Sequence, residues 1–171
     1  MRPLAAALGA AGLSSARPSP AAKAILTRGS IIAAMVVMVD QLTKAGAHAL
    51  GDTAISHPIT NDRFSLGLAG GPLPVMIVIT VVGIVAFGAY VVAQAVRGRL
   101  PAWVPALLVG GAVSNLVDRL ALGAVRDFLV GPGVLWNLAA LAVLVGIAGY
   151  AWGHLRRHEP TLACDEEVKL T

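Results

Sequence analysis

The amino-acid sequence predicts an all-α integral membrane protein with four transmembrane helices and both termini on the cytoplasmic side. Three observations predict it. Of 171 residues, 57% are hydrophobic and only 13% charged, against roughly 25% charged in an ordinary soluble domain. The apolar residues collect into four stretches of about the 20 residues needed to cross a hydrocarbon core. Lys and Arg gather beside alternate ends of those stretches, as the positive-inside rule requires. The apolar content is Ala, Val, Leu, Ile and Gly rather than aromatic, a mixture that lets helix backbones approach closely in lipid.

Residues 1–22 are rich in Ala, Pro and Ser and read as a disordered cytoplasmic extension. Leu4–Leu13 follows Arg2 and is apolar, so a short signal peptide is the alternative. The membrane domain is expected over residues 23–153. Its first span runs from Ile25 to Ala49 and contains Asp40 and Lys44. The second, Leu73–Val96, carries no charge. The third, Pro101–Leu122, becomes polar at its end. The fourth runs from Val134 to Trp152. A backbone in lipid must satisfy its own polar groups, so each span is predicted to be a helix. Residues 154–171 form a charged tail. Arg2, Arg17, Lys23 and Arg28 precede or open span one; Arg97 and Arg99 lie between spans two and three; Arg156 and Arg157 follow span four. These segments share the cytoplasmic side, which leaves connections 50–72 and 123–133 outside. The first of these is long and contains Asp52, His57, Asn61 and Asp62. Weak alternation over Ile55–Phe64 suggests a small surface loop or β-hairpin subdomain.

Ionisable residues within spans are costly and are candidates for function. Asp40 lies about 22 Å up the first span at 1.5 Å per residue. Asn115, Asp118 and Arg119 lie at a similar height on the third, and Asn137 at the start of the fourth. Asp127 stands in the short connection between them. One site, open to the outer half of the bilayer, would unite them. Asp40 and Lys44 are four apart, share a helix face, and read as a structural ion pair. Asp118 and Arg119 point different ways, either tying span three to its neighbours or facing a substrate. Asn115 and Asn137 carry amides that bridge helices or hold a peptide carbonyl. By position alone Asp127 is a solvated loop aspartate.

Several functions are disfavoured. The cations flank apolar stretches and form no patch with interleaved aromatics, against nucleic-acid binding. Cys164 is the single cysteine, and His48 and His57 have no partner at ligand spacing, so no metal site is expected. Gly67–Pro74 lacks the lysine of a phosphate-binding loop. Gly149 and Gly153 suit a small-xxx-small helix contact. No internal repeat suggests a transporter, although a small transport subunit is a third-ranked reading.

Four blocks carry a family resemblance: Asp40-Gln41-Leu42-Thr43-Lys44; Gly111 to Arg119, which ends Asn115-Leu116-Val117-Asp118-Arg119; Gly123-Ala124-Val125-Arg126-Asp127-Phe128; and Trp136-Asn137-Leu138-Ala139. Their order and spacing resemble signal peptidase II, the lipoprotein signal peptidase, from about Ala33 to Trp152. The resemblance implies a bacterial multi-pass protein of the cytoplasmic membrane, monomeric and without cofactor. It implies an intramembrane aspartic endopeptidase that removes signal peptides from diacylglyceryl-modified prolipoproteins, with membrane lipid as its surroundings. Asp127 would be one of two catalytic aspartates. Asn61, Asn115, Arg119 and Asn137 would line the substrate side; Asp40, Lys44 and Asp118 would support the scaffold. The second catalytic aspartate should fall at position 140, which is Ala140. The first outer loop also departs from the family's pattern, because Asn61-Asp62-Arg63-Phe64 lacks its glycine. The sequence therefore supports either a peptidase with an altered dyad, Asp62 or Asp118 supplying the carboxylate, or an inactive relative that binds lipid-modified precursors or a partner.

Overall fold

The computed structural model describes residues 18–62, 71–131 and 134–157. Most of the expected N-terminal extension, residues 63–70 of the first connection and most of the tail lie outside the described residues.

Four helical stretches are long and apolar enough to cross a membrane. Helix α1, Pro20–Leu50, is 31 residues long, about 46 Å at 1.5 Å per residue. It starts before the expected Ile25 for a local reason. The Ser19 hydroxyl accepts the Ala22 N–H at 3.1 Å and Pro20 opens the first turn, a position where proline's missing N–H costs nothing. The second span, Leu73–Val96, comprises α2 (Leu73–Gly83), a π-turn (Ile84–Gly88) and α3 (Ala89–Val96). Helix α4, Trp103–Leu122, ends at Gly123, whose φ of +75° is left-handed, the conformation glycine adopts most readily at a helix end.

The fourth span corrects an expected boundary. Helix α5 runs Leu138–Leu155, with Asn137 as its N-cap, rather than from Val134. Val134–Trp136 is a strand, β3. Periodicity cannot separate a short apolar strand from the start of a helix. Here β3 pairs with β2 (Val125–Gly131), Trp136 opposite Leu129, and the helix begins only after the cap. The first connection, expected as a loop or β-hairpin, contributes one strand among the described residues, β1 (Ser56–Asn61), and it is not paired within that connection. Its partner is β2 in the second connection, with Ile59 opposite Asp127 and Asn61 opposite Val125. The result is an antiparallel sheet of order β1-β2-β3, built from both connections at one end of the bundle.

Helix α4 is the centre of the bundle and packs on both α1 and α5. Its glycines set the distance. A Cβ on Gly110 would lie 2.9 Å from the Ala33 carbonyl oxygen of α1, and one on Gly111 would meet the Ala139 carbonyl of α5. The small-residue contact read at Gly149 and Gly153 is also used within the chain. Gly149 backs onto the Trp103 ring, and a Cβ on Gly153 would stand 3.0 Å from Leu100 Cδ2. Val91, Ala95, Leu100, Val104 and Leu108 form the apolar core away from the sheet. With that end of the interior filled by hydrocarbon, the buried polar residues Asp40, Lys44, Ser114, Asp118, Arg119, Asp127 and Asn137 all lie toward the sheet end.

Candidate functional site

Lys44 is fully buried, and its ammonium has three anionic or polar acceptors. Asp40 Oδ2 lies at 2.7 Å and Asp118 Oδ2 at 3.0 Å, and Asn115 Oδ1 accepts at 2.9 Å. The ion pair read from the four-residue spacing of Asp40 and Lys44 is thus present, and Asp118 joins it from α4. Asp40 does more than pair. Its Oδ2 accepts the Ser114 hydroxyl at 2.7 Å, and its Oδ1 accepts the Ala139 N–H at 2.7 Å. A carboxylate on α1 therefore satisfies an otherwise open amide in the first turn of α5, where the helix dipole favours negative charge.

Asp118 ties α4 to both α1 and the sheet. It accepts Gln41 Nε2 at 3.0 Å and Arg126 Nη2 at 2.7 Å on Oδ1, and the Arg126 backbone N–H at 3.0 Å on Oδ2. Arg126 Nη2 also reaches Gln41 Oε1 at 2.6 Å. Two acids, Asp40 and Asp118, thus offset two bases, Lys44 and Arg126, which is the condition for burying charge without a large penalty. Gln41, Ser114 and Arg126 were not among the candidate site residues. Helical spacing could have flagged two of them. Ser114 lies four before Asp118, and Gln41 three before Lys44.

Strand β2 turns Asp127, the neighbour of Arg126, to the other face of the sheet. Asp127 is 4% exposed, so the solvated loop aspartate is replaced by a buried one. Asn61 Nδ2 donates to its Oδ2 at 2.9 Å, and Asn137 Nδ2 to its Oδ1 at 2.5 Å. The Asn137 amide cannot turn over without loss, because its own oxygen accepts the Ala140 N–H at 2.7 Å as the cap of α5. One amide therefore bridges the Asp127 carboxylate and the backbone of residue 140. Burial pushes the Asp127 carboxyl above its ordinary value; the donors on Asn61 and Asn137 and the charges of Lys44 and Arg119 pull the other way without cancelling it.

The structure accordingly gathers the sequence candidates into two adjoining sets. Asp40, Lys44, Asn115 and Asp118 form the buried network. Asn61, Asp127 and Asn137 meet directly above it, with Ala140 across the cap and Arg119 close enough for its charge to act on Asp127. The acids weighed as replacements are placed differently. Asp118 is engaged with Lys44, Arg126 and Gln41. Asp62 is exposed and follows the last residue of β1.

Such an arrangement defines a multi-pass membrane protein with a carboxylate site where two interhelical connections join above the bundle. The family model for signal peptidase (SPase) II matches residues 32–156. The chain belongs to the signal peptidase II family. It is 38% identical over 138 residues to the lipoprotein signal peptidase of Pelotomaculum thermopropionicum, covering 73% of this chain and 90% of that protein. To the lipoprotein signal peptidase of Janthinobacterium sp. (strain Marseille) it is 32% identical over 144 residues, covering 74% and 87%. Its fold is similar to that of a bacterial membrane enzyme solved by the in meso method at 2.3 Å resolution, with a TM-score of 0.70, 20% identity, and coverage of 82% of this chain and 94% of that one.

Proposed function

We propose that this chain binds diacylglyceryl-modified prolipoproteins at the sheet end of its bundle and does not cleave them by the family's carboxylate pair. Its membrane is the bacterial cytoplasmic membrane, with the sheet end on the outer side, as the distribution of Lys and Arg favours. The observation that carries the reading is the pairing at Asp127. Both carboxylate oxygens are held by side-chain amides, from Asn61 and Asn137, and the residue across the Asn137 cap is an alanine.

Aspartic proteolysis needs two close carboxylates that share one proton, so that one activates water while the other protonates the peptide oxygen. Among the described residues, the remaining acids have other surroundings: Asp40 and Asp118 hold Lys44, Asp52 pairs with His57 at the surface, and Asp62 is exposed. Asp127 alone can accept a proton from water but has no acid to complete the transfer. What the site retains is recognition. Asn61 and Asn115, both half-buried, and Arg119 offer amide and guanidinium groups to a peptide backbone, Asn137 being committed to Asp127 and to the cap of α5, and the apolar spans offer a surface to acyl chains.

Binding tests this directly. The purified chain in detergent is expected to bind a diacylglyceryl-modified precursor at least about tenfold more tightly than the unmodified precursor, because acyl burial adds to affinity, and to return it uncut. Equal affinity for the two forms would remove the substrate assignment, and recovery of clipped product would remove the claim of lost cleavage.

A further inference from the structure

The end of the bundle away from the sheet carries a second polar cluster that takes no part in the Asp127 site. Span two, the turn before α4 and the end of α5 meet there. Arg157 reaches back across the turn, with Nη2 donating to the Arg99 carbonyl at 2.6 Å and Nε to the Gly153 carbonyl at 2.9 Å. Arg99 Nη1 donates to Gln94 Oε1 at 3.3 Å, and Gln94 Nε2 to the Tyr90 hydroxyl at 2.9 Å. The Tyr90 and Tyr150 hydroxyls are 3.4 Å apart. Both guanidinium groups are thus held in place by uncharged acceptors. Among the described residues, no carboxylate lies within ion-pair distance of either, and the ion pairs present all lie in the sheet-end half.

A second observation sets the depth of this cluster. Tyr90 is 45% exposed and Trp152 58%, and Arg156 lies over the Trp152 ring, 4.6 Å from its centroid. Exposed Tyr and Trp at the end of a span sit at the level of lipid headgroups. The two positioned arginines therefore stand where phosphodiester groups are concentrated, and guanidinium forks match phosphate oxygens in geometry as well as charge.

We propose that Arg99 and Arg157 form a binding site for the phosphodiester of an anionic membrane lipid in the leaflet at this end. The tyrosine hydroxyls add neutral donors beside it, and the lipid's acyl chains run along the apolar surfaces of spans two and four. The site anchors the bundle in register with the headgroup layer and is independent of whether Asp127 takes part in cleavage.

Native mass spectrometry of the full chain in detergent, titrated with phosphatidylglycerol or with phosphatidylcholine of the same acyl chains, tests this. Phosphatidylglycerol is expected to bind the more tightly. Each arginine at an anionic surface contributes roughly a fivefold preference, so the double variant Arg99→Gln/Arg157→Gln is expected to lose about 25-fold. Arg157→Lys, which keeps the charge but loses the fork and its bonds to Gly153 and Arg99, guards against a folding artefact and should show a preference between those of the native chain and Arg157→Gln. Arg28→Gln, exposed on α1 at the same end and outside the Arg99–Arg157 cluster, should lose less of the preference than either Arg99→Gln or Arg157→Gln alone. Equal binding of the two lipids, or an unchanged double variant, would overturn the proposal. So would an equal loss in Arg28→Gln, which would mean diffuse charge. Displacement by inorganic phosphate would reassign the site to a soluble anion. A large gain in affinity on removing residues 158–171 would identify Glu159 and the acids at 165–167 as its occupant instead.

Discussion

Replacing Lys44 by methionine isolates the buried network, because methionine nearly matches its length and removes only the charge and its donors. Lys44, Asp40 and Asp118 each have no exposed surface. The native set balances two acids against two bases. In Lys44→Met, Asp40 keeps Ser114 and the Ala139 N–H, and Asp118 keeps Arg126 and Gln41. One buried negative charge is then left without a counterpart. Breaking a buried pair by removing one partner costs about 3–5 kcal/mol. For a chain of this size each kcal/mol shifts the melting temperature by about 2–4 °C, so the expected fall is roughly 6–20 °C. Thermal unfolding in detergent, followed by tryptophan fluorescence, measures it. Adding Asp40→Asn should recover part of the loss, with a coupling of about 0.5–3 kcal/mol between the two sites. A single variant that melts within about 2 °C of the native chain, or a double variant whose losses simply add, would refute the argument that charge balance holds α1 to α4.

Three further predictions follow from the same geometry. Gly111→Ala should destabilise by about 1–3 kcal/mol because its Cβ meets the Ala139 carbonyl, whereas Gly46→Ala, with nothing within 4 Å, should be neutral or slightly stabilising; chemical denaturation of the pair checks this. Asn137→Ala should lower the melting temperature through loss of the α5 cap, worth about 1 kcal/mol, and Asn137→Ser should restore the cap without the donor to Asp127. Because burial raises the Asp127 carboxyl above its ordinary 3.8, the folded state holds that proton more tightly than the unfolded chain. Its contribution is therefore full below that value and is lost as pH rises through the raised pKa. The stability of the native chain relative to Asp127→Asn should fall over that window and then level off; a difference that stays flat or rises with pH would contradict the direction of the shift.

Much of the fold can be read from composition and spacing alone, because lipid permits few alternatives. Four apolar runs must be helices, and Asp40 and Lys44 at helical spacing must face the same way. Periodicity also brings Asp118 to the height of Lys44. The sheet was harder to read. Its three strands come from two connections far apart in sequence, and none of them alternates cleanly. The run Val134–Trp136 is apolar and adjoins a span, so nothing local distinguishes it from helix until Asn137 is recognised as a cap. Arg126 is similarly opaque. Only the strand conformation of β2 explains why adjacent residues enter different environments, Arg126 toward Gln41 and Asp118, Asp127 toward the two asparagines. Asp127 looked solvated for the same reason. Its burial depends on β1 arriving from the other connection.

Cleavage of a diacylglyceryl-modified precursor by purified chain in excess, native against Ala140→Asp, bears most directly on the role of position 140. The substitution places an acid in the first turn of α5, where the helix dipole favours it, so the variant is expected to fold. The native chain should leave the precursor intact, and Ala140→Asp should cut it, with the gain abolished by Asp127→Asn. The difference should approach the factor of about 10⁴ to 10⁶ that loss of a catalytic residue costs a peptidase. Cleavage by the native chain at a rate comparable to the variant's would contradict the reading, because the reaction would then proceed without a carboxylate at residue 140.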